Sequence, residues 1–326
     1  MSIQTQQFMQ LHQTSGRWRL GVALSLVTII LWGILPIALA VTLQALDVYT
    51  VTWFRFLMAF GLLAAYLAAR KQLPTLQQLR EASFGMLAIA TVGLGLNYLF
   101  FLQGLLQTSP TTAEVIIQLA PALMGLGGIA VFKERYILPQ WIGLGVLTLG
   151  MVLFFQAQLK TILTAQATYL LGNGILVLGA IAWAIYALVQ KQLLQKLPSS
   201  SIMLVIYGGC AILFSPFATP QRLLTLSPLH LGVLLFCGLN TLVAYGAFAE
   251  ALEHWEASRV SAAIALAPLV TLVAVWAVSW ITPTLVAPEH LTVIGVVGAV
   301  LVVIGSVAIA LSKSAKPMAI GKKRSI

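Results

Sequence analysis

The sequence predicts an all-α integral membrane protein of ten transmembrane helices, built as two inverted five-helix repeats with both termini cytoplasmic. Three observations lead there. Of the 326 residues, 60% are hydrophobic and only 8% charged, with a mean hydropathy of +0.98. A water-facing surface carries many more charges than that. The apolar residues also fall in runs of about twenty, the length that crosses a hydrocarbon core about 30 Å thick. Finally, the chain repeats itself.

The repeat is clearest between Asn97–Arg135, which reads NYLFFLQGLLQTSPTTAEVIIQLAPALMGLGGIAVFKER, and a segment running from Ala244 to Trp280. At one constant offset Tyr98 falls on Tyr245, Phe101 on Phe248 and Leu105 on Leu252. The same offset places Leu119-Ala120-Pro121 on Leu266-Ala267-Pro268.

Taken in order, the spans are approximately 20–43, 49–69, 83–106, 111–132 and 138–156 in the first repeat, with 169–190, 202–219, 229–252, 257–281 and 290–312 in the second. Short connections carry the usual breakers, among them Pro74, Pro110, Pro139, Pro198, Pro220, Pro283 and Pro288. Residues 1–19 read as a disordered cytoplasmic N-terminus rich in Gln, 20–156 and 169–312 as the repeats, and 313–326 as a basic cytoplasmic tail. The apolar run after Arg19 exceeds a signal-peptide core in length and is read as a retained span. Cys210 and Cys237 lie within apolar runs and read as packing residues.

Basic residues set the orientation. With the N-terminus inside, the inner segments hold Arg17, Arg19, Arg70, Lys71, Arg80, Lys133, Arg135, Lys191, Lys196 and Arg259. Lys313, Lys316, Lys322, Lys323 and Arg324 follow in the tail, making fifteen of the eighteen Lys and Arg. The net charge of +10 is therefore a topology signal, and it points to anionic lipid headgroups and not to nucleic acid. Five spans per repeat is an odd number, so the second repeat enters the membrane from the opposite side. Inverted repeats are typical of secondary transporters, with a substrate site near the bilayer midplane.

Particular residues carry a family resemblance: Trp32-Gly33, Arg55-Phe56, the segment from Gly104-Leu105 to Pro121, Glu134-Arg135, Gly143 and Gly150, then Ala257-Ser258-Arg259-Val260-Ser261, Pro268, Gly295 and Gly305. In that order and spacing the chain resembles the drug/metabolite transporter superfamily and, within it, the EamA-type ten-span exporters. The resemblance implies export of small metabolites, commonly amino acids or related compounds, with no cofactor. Two positions depart from the pattern: Val286 stands where an acid is often found, and Glu114 where a small or apolar residue is expected.

The polar residues within spans are the candidate site. Arg55 reads either as snorkelling to the outer headgroups, or as a cavity-lining cation for a substrate carboxylate, or as the partner of Glu114 at similar depth. In span four Gln118 is an amide in need of a partner, while Gly125 and Gly128 allow close helix contact. Pro121 deprives the Ile117 carbonyl of its amide donor, and Pro268 does the same to Ile264. These are candidate bends or gates. Trp32, Asn97, Tyr98, Phe101, Trp183, Tyr186 and Tyr245 supply aromatic and amide groups suited to an amphipathic solute. Gly143/Gly150 and Gly298/Gly305 read as close-packing faces within the chain or, alternatively, as a homodimer face. The Lys133-Glu134-Arg135 cluster reads as a cytoplasmic anchor. Glu250, Glu253, His254 and Glu256 read as a solvated helix end whose acids pair with Arg259. There is no metal-ligand spacing, phosphate loop or nucleophile–base set, so an enzyme is not expected. An importer or exchanger of sugars or organic phosphates is the alternative, but it would need several inward cations, and only Arg55 qualifies.

Overall fold

The computed structural model describes residues 14–108, 113, 116–134, 136–156, 167–281 and 292–311. The described chain is helical throughout: α1 Trp18–Thr42, α2 Val48–Ala69, α3 Leu76–Glu81, α4 Phe84–Gln107, α5 Leu119–Phe132, α6 Leu138–Phe154, α7 Ala167–Leu193, α8 Ser199–Phe214, α9 Pro228–His254, α10 Ala257–Ile264, α11 Ala267–Ile281 and α12 Val293–Leu311. By length and composition, seven stretches can cross a membrane: α1, α2, α4, α7, α8 with its continuation to Phe217, α9, and α10–α11 taken together. The protein is thus an all-α, multi-span membrane protein. Helices α5 and α6 have 14 and 17 residues, about 21 and 25 Å of helix. Glu114, Arg135, Val286, Glu289, most of residues 1–19, residues 157–166 of the polar segment between the expected fifth and sixth spans, and the basic tail lie outside the described residues.

Helix ends follow local chemistry. Asp47 caps α2, its Oδ1 accepting from the Tyr49 and Thr50 amides at 3.0 and 2.9 Å. Burial would raise its pKa, but hydrogen bonds from Thr50 and Thr219 outweigh that and hold it below the usual value. The expected seventh span ends early, at Phe214, because Pro216 cannot continue the ladder and Ser215–Phe217 turns into 3-10 helix. Helix α1 starts at Trp18, and Ser15 ahead of it is held by its amide on the Glu253 carbonyl at 3.0 Å.

Helices pack in matched sets. α4 runs along α7 as α1 runs along α9, α2 meets α9 as α8 meets α4, and α1 meets α11 as α7 meets α5. Three further pairs, α2–α8, α5–α10 and α6–α12, are each formed from corresponding elements. The α6–α12 seam uses the predicted glycines within one chain. A Cβ on Gly298 would stand 2.3 Å from the Phe154 amide nitrogen and 2.7 Å from the Gly150 carbonyl. Gly143 and Gly305 repeat that approach one turn-pair along. Small residues let the backbones meet, which is how helices associate where lipid removes the hydrophobic drive.

Two ends of the bundle can be told apart by their contacts. At one, Asp47, Thr50 and Thr219 form a cluster, with Thr50 Oγ1 to Asp47 Oδ2 at 2.7 Å and Thr219 Oγ1 to Asp47 Oδ2 at 3.0 Å. At the other, Glu134, Lys191, Glu250, His254 and Ala257 come together.

Candidate functional site

A cavity of about 100 Å³ opens among α1, α2, α4, α5, α7, α9 and the α10–α11 junction. Of the residues singled out in the sequence, Trp32, Arg55, Asn97, Tyr98 and Phe101 line it. So do Gln118, Pro121, Trp183 and Tyr245. Tyr186 is not on its wall. It is fully buried one layer behind, its hydroxyl 3.5 Å from Met203 Sδ. Pro268 also stands back, and its neighbours Ile264 and Ala267 take the wall position. Asn97 spends its amide on packing, donating Nδ2 to the Gly179 carbonyl at 3.1 Å and so tying α4 to α7.

Arg55 is the charged residue of this wall, and it is only 2% exposed. It does not snorkel. Its Nε donates to Thr241 Oγ1 at 3.0 Å and reaches the Cys237 carbonyl at 3.4 Å. Its guanidinium carbon lies 4.3 Å from the Tyr98 ring centroid, a cation–π contact worth about 2 kcal/mol when desolvated. None of the ion pairs among the described residues includes Arg55. Whether Glu114 faces it lies outside the described residues. Thr241 joins the arrangement together: besides Arg55 Nε it takes the Tyr98 hydroxyl at 3.3 Å, and its backbone carbonyl accepts from Tyr207 at 2.9 Å. The sequence alone assigns Thr241 no role, since nothing in a linear pattern shows that three helices converge on one hydroxyl.

Aromatic rings close the cavity toward the Glu134 end. Trp32 sits 4.9 Å from Tyr245, 5.5 Å from Phe248 and 5.7 Å from Trp183, centroid to centroid. Tyr98 links this group to Phe56 at 4.4 Å and to Tyr245 at 5.4 Å. Offset and tilted pairs of this kind are favourable beyond simple contact.

Two interrupted helices also border the cavity. The expected ninth span is broken at Ala265–Leu266, between α10 and α11. The expected fourth is interrupted by a turn at Gln118, just before α5. Both breaks stand three residues ahead of a proline, where the missing amide releases a carbonyl. Ile117 and Ile264, the residues that own those carbonyls, are both on the cavity wall. The two elements are stitched together by Ser261 Oγ, which donates to the Pro121 carbonyl. Gly125 gives this contact room, since a Cβ there would stand 3.0 Å from Ser261 Oγ. On the far side of α5 lies a larger cavity of about 340 Å³ that shares Gln118 and Pro121 with the first.

The sequence reading of Glu134 as part of an anchor missed its main contacts. Glu134 Oε1 pairs with Lys191 Nζ at 3.1 Å, and the Lys191 side chain is 1% exposed. The same carboxylate accepts from the amides of Ala257 and Ser258 at 2.9 and 3.0 Å, capping α10. Burial pushes its pKa up, but Lys191 and the α10 amides prevail and hold it below the ordinary carboxylate value. Nearby, Arg259 pairs with Glu256, while buried His254 meets Glu250 at 3.3 Å, Ser15 at 2.7 Å and Arg17 at 3.4 Å. No group of three or more His, Cys, Asp or Glu able to hold a metal occurs among the described residues.

Comparison with known proteins places this architecture. The sequence model of the EamA-like transporter family matches residues 19–156 and again 170–311. An inner membrane transporter of Escherichia coli, YhbE, is 40% identical over 288 residues, covering 88% of this chain and 90% of its own. A transporter of Haemophilus influenzae is 38% identical over 301 residues, covering 91% and 97%. A probable amino-acid metabolite efflux pump of Salmonella typhimurium is 23% identical over 296 residues, covering 86% and 92%. A solved crystal structure aligns with TM-score 0.69 at 17% identity over 89% of this chain, a likeness of fold. With two segments matched by the family model, a cavity between helices and relatives aligned along nearly their full length, the chain belongs to the EamA-like transporter family, as a multi-pass membrane protein that transports a small molecule.

Proposed function

We propose that the protein is a secondary exporter that moves a small amphipathic metabolite, an amino acid or a close relative, out of the cytoplasm by alternating access. The observation that carries the reading is the pair of helix breaks. Gln118 and Ala265 correspond under the offset that relates Tyr98 to Tyr245, and both breaks border one cavity. Discontinuous helices at a repeat interface supply free backbone groups for a solute inside a membrane. The matched packing sets support two inverted repeats, 20–156 and 169–312, of five spans each. α5, α6 and α12 then take the places of the fourth, fifth and tenth spans.

Under the positive-inside rule the Glu134 end faces the cytoplasm. The cavity lies nearer the Asp47 end, and its lining on α1 and α4 comes from the halves that lead there. Beneath it the aromatic group and the Glu134–Lys191–α10 clasp close the cytoplasmic side. This is the arrangement of a release-facing state. Opening the other way requires the clasp to part and α5 to shift against α10, and the larger cavity beside α5 leaves space for that movement. The name of the Salmonella relative supports an amino-acid-like cargo. A wall with one cation opposes the organic-phosphate alternative.

Metabolite profiling of cells that overexpress or lack the protein tests this function. One amino-acid-like pool is expected to fall inside and rise outside on overexpression, and to do the reverse in the deletion. Unchanged pools on both sides of the membrane would overturn export.

A further inference from the structure

Within the cavity one group stands apart from the rest of the wall. Arg55 is buried, its Nε is held by Thr241, and its plane is laid against Tyr98. These contacts fix the direction of the fork while engaging only one of its five N–H donors. No carboxylate pairs with it among the described residues. A charge at this depth disfavours insertion by roughly 2.5–3.5 kcal/mol on insertion scales. Its retention as the one charge on a wall that is otherwise apolar, aromatic or amide calls for an anionic counterpart that comes and goes.

We infer that Arg55 is the carboxylate-recognition residue of this transporter, and that its substrates are small apolar monocarboxylates, alone or as the carboxylate of an amino acid. The inference rests on the cavity being the transport site. A carboxylate suits the planar fork, which can bond it bidentately. One fixed positive charge neutralises one negative charge, so a phosphate monoester would remain a desolvated anion here, and a bound amine would be repelled. The cavity volume of about 100 Å³ suits a short aliphatic body better than a nucleotide or a sugar phosphate, since pockets for drug-sized ligands measure about 300 Å³ or more. The aromatic walls at Trp32, Tyr98 and Tyr245 meet that body. For an α-amino acid, the carbonyls released at Ile117 and Ile264 are the acceptors available to an ammonium group.

Four probes built on one skeleton test the assignment by calorimetric titration of the purified full-length protein: leucine, 4-methylpentanoate, 4-methylpentanamide and 3-methylbutylamine. Leucine or 4-methylpentanoate, or both, should bind roughly ten- to a hundredfold tighter than the amide and the amine, the range for one charge-assisted contact. Whether leucine exceeds 4-methylpentanoate tells an amino-acid site from a plain monocarboxylate site, and either result supports the role of Arg55. In Arg55→Gln the preference for acid over amide should vanish. In Arg55→Lys, which keeps the charge without the fork, it should persist in reduced form. Because the readout is a ratio within one preparation, partial loss of folded protein does not alter it. Equal affinity for acid and amide, or a preference that survives in Arg55→Gln, would overturn the inference while leaving export to be judged by the metabolite profiles. Failure of all four probes to bind would overturn the substrate class.

Discussion

At the scale of single residues, the buried polar groups are held by partners far away in sequence. Thr241 serves Arg55 and Tyr98 together. Thr241→Val keeps the shape and removes both acceptor contacts, so thermal stability in detergent should fall by about 1–3 kcal/mol, and any carboxylate preference should weaken with it. Tyr207→Phe, which removes only a bond to the Thr241 backbone, should leave that preference in place. Glu134 allows a pH prediction. Its folded pKa lies below the reference value of 4.5, so its stabilising contribution is complete above that pH and is lost as pH falls through the depressed value. The Tm gap between wild type and Glu134→Gln should hold steady from pH 7 to pH 5 and close in stronger acid. A gap unchanged down to pH 3 would show that the carboxylate's charge is not what stabilises the clasp. Arg55 was legible as a residue requiring explanation because charge inside an apolar run is visible in one dimension. The choice between headgroup, acid and cavity was not, because it depends on which helix stands opposite.

At the scale of elements, the prolines and glycines divide the work. Pro121 and Pro268 were legible as bend sites, and the structure places a break three residues before each. Pro121→Ala or Pro268→Ala restores an amide donor to Ile117 or Ile264. Each change should raise Tm while slowing transport, since a continuous helix is stabler but loses its hinge. Faster transport with no gain in Tm would count against that role. Along the α6–α12 seam a side chain at Gly298 would run into backbone, at 2.3 Å from the Phe154 nitrogen. Gly298→Ala should therefore reduce the monodisperse fraction in size-exclusion chromatography. Gly145→Ala, on α6 but with nothing within 4 Å of the added atom, should behave as wild type. The seven-residue glycine spacing and close packing within the chain were readable in the sequence. That the two glycine faces meet each other was not.

At the scale of the whole molecule, orientation is the proposal most open to direct measurement. Cys210 and Cys237 are fully buried, so introduced cysteines report without background from them. With an impermeant thiol reagent, Gln221→Cys should label in intact cells and Gln72→Cys only after permeabilisation; the reverse pattern would invert the topology. Membrane residence, the approximate places of most helices, the echo between two segments and the expected orientation were available from the sequence. Each is encoded locally, in the length of an apolar run, a bias of basic residues or an offset between two segments, and no knowledge of packing is needed to read it. Tertiary structure alone decided that Glu134 meets Lys191 and the start of α10, that Thr241 gathers Arg55 and Tyr98, and that Tyr186 stands behind the cavity wall. Those facts depend on which faces of distant helices meet. In a bilayer, where every apolar face is equally at home in lipid, backbone approach and polar partners make that choice, and hydropathy cannot.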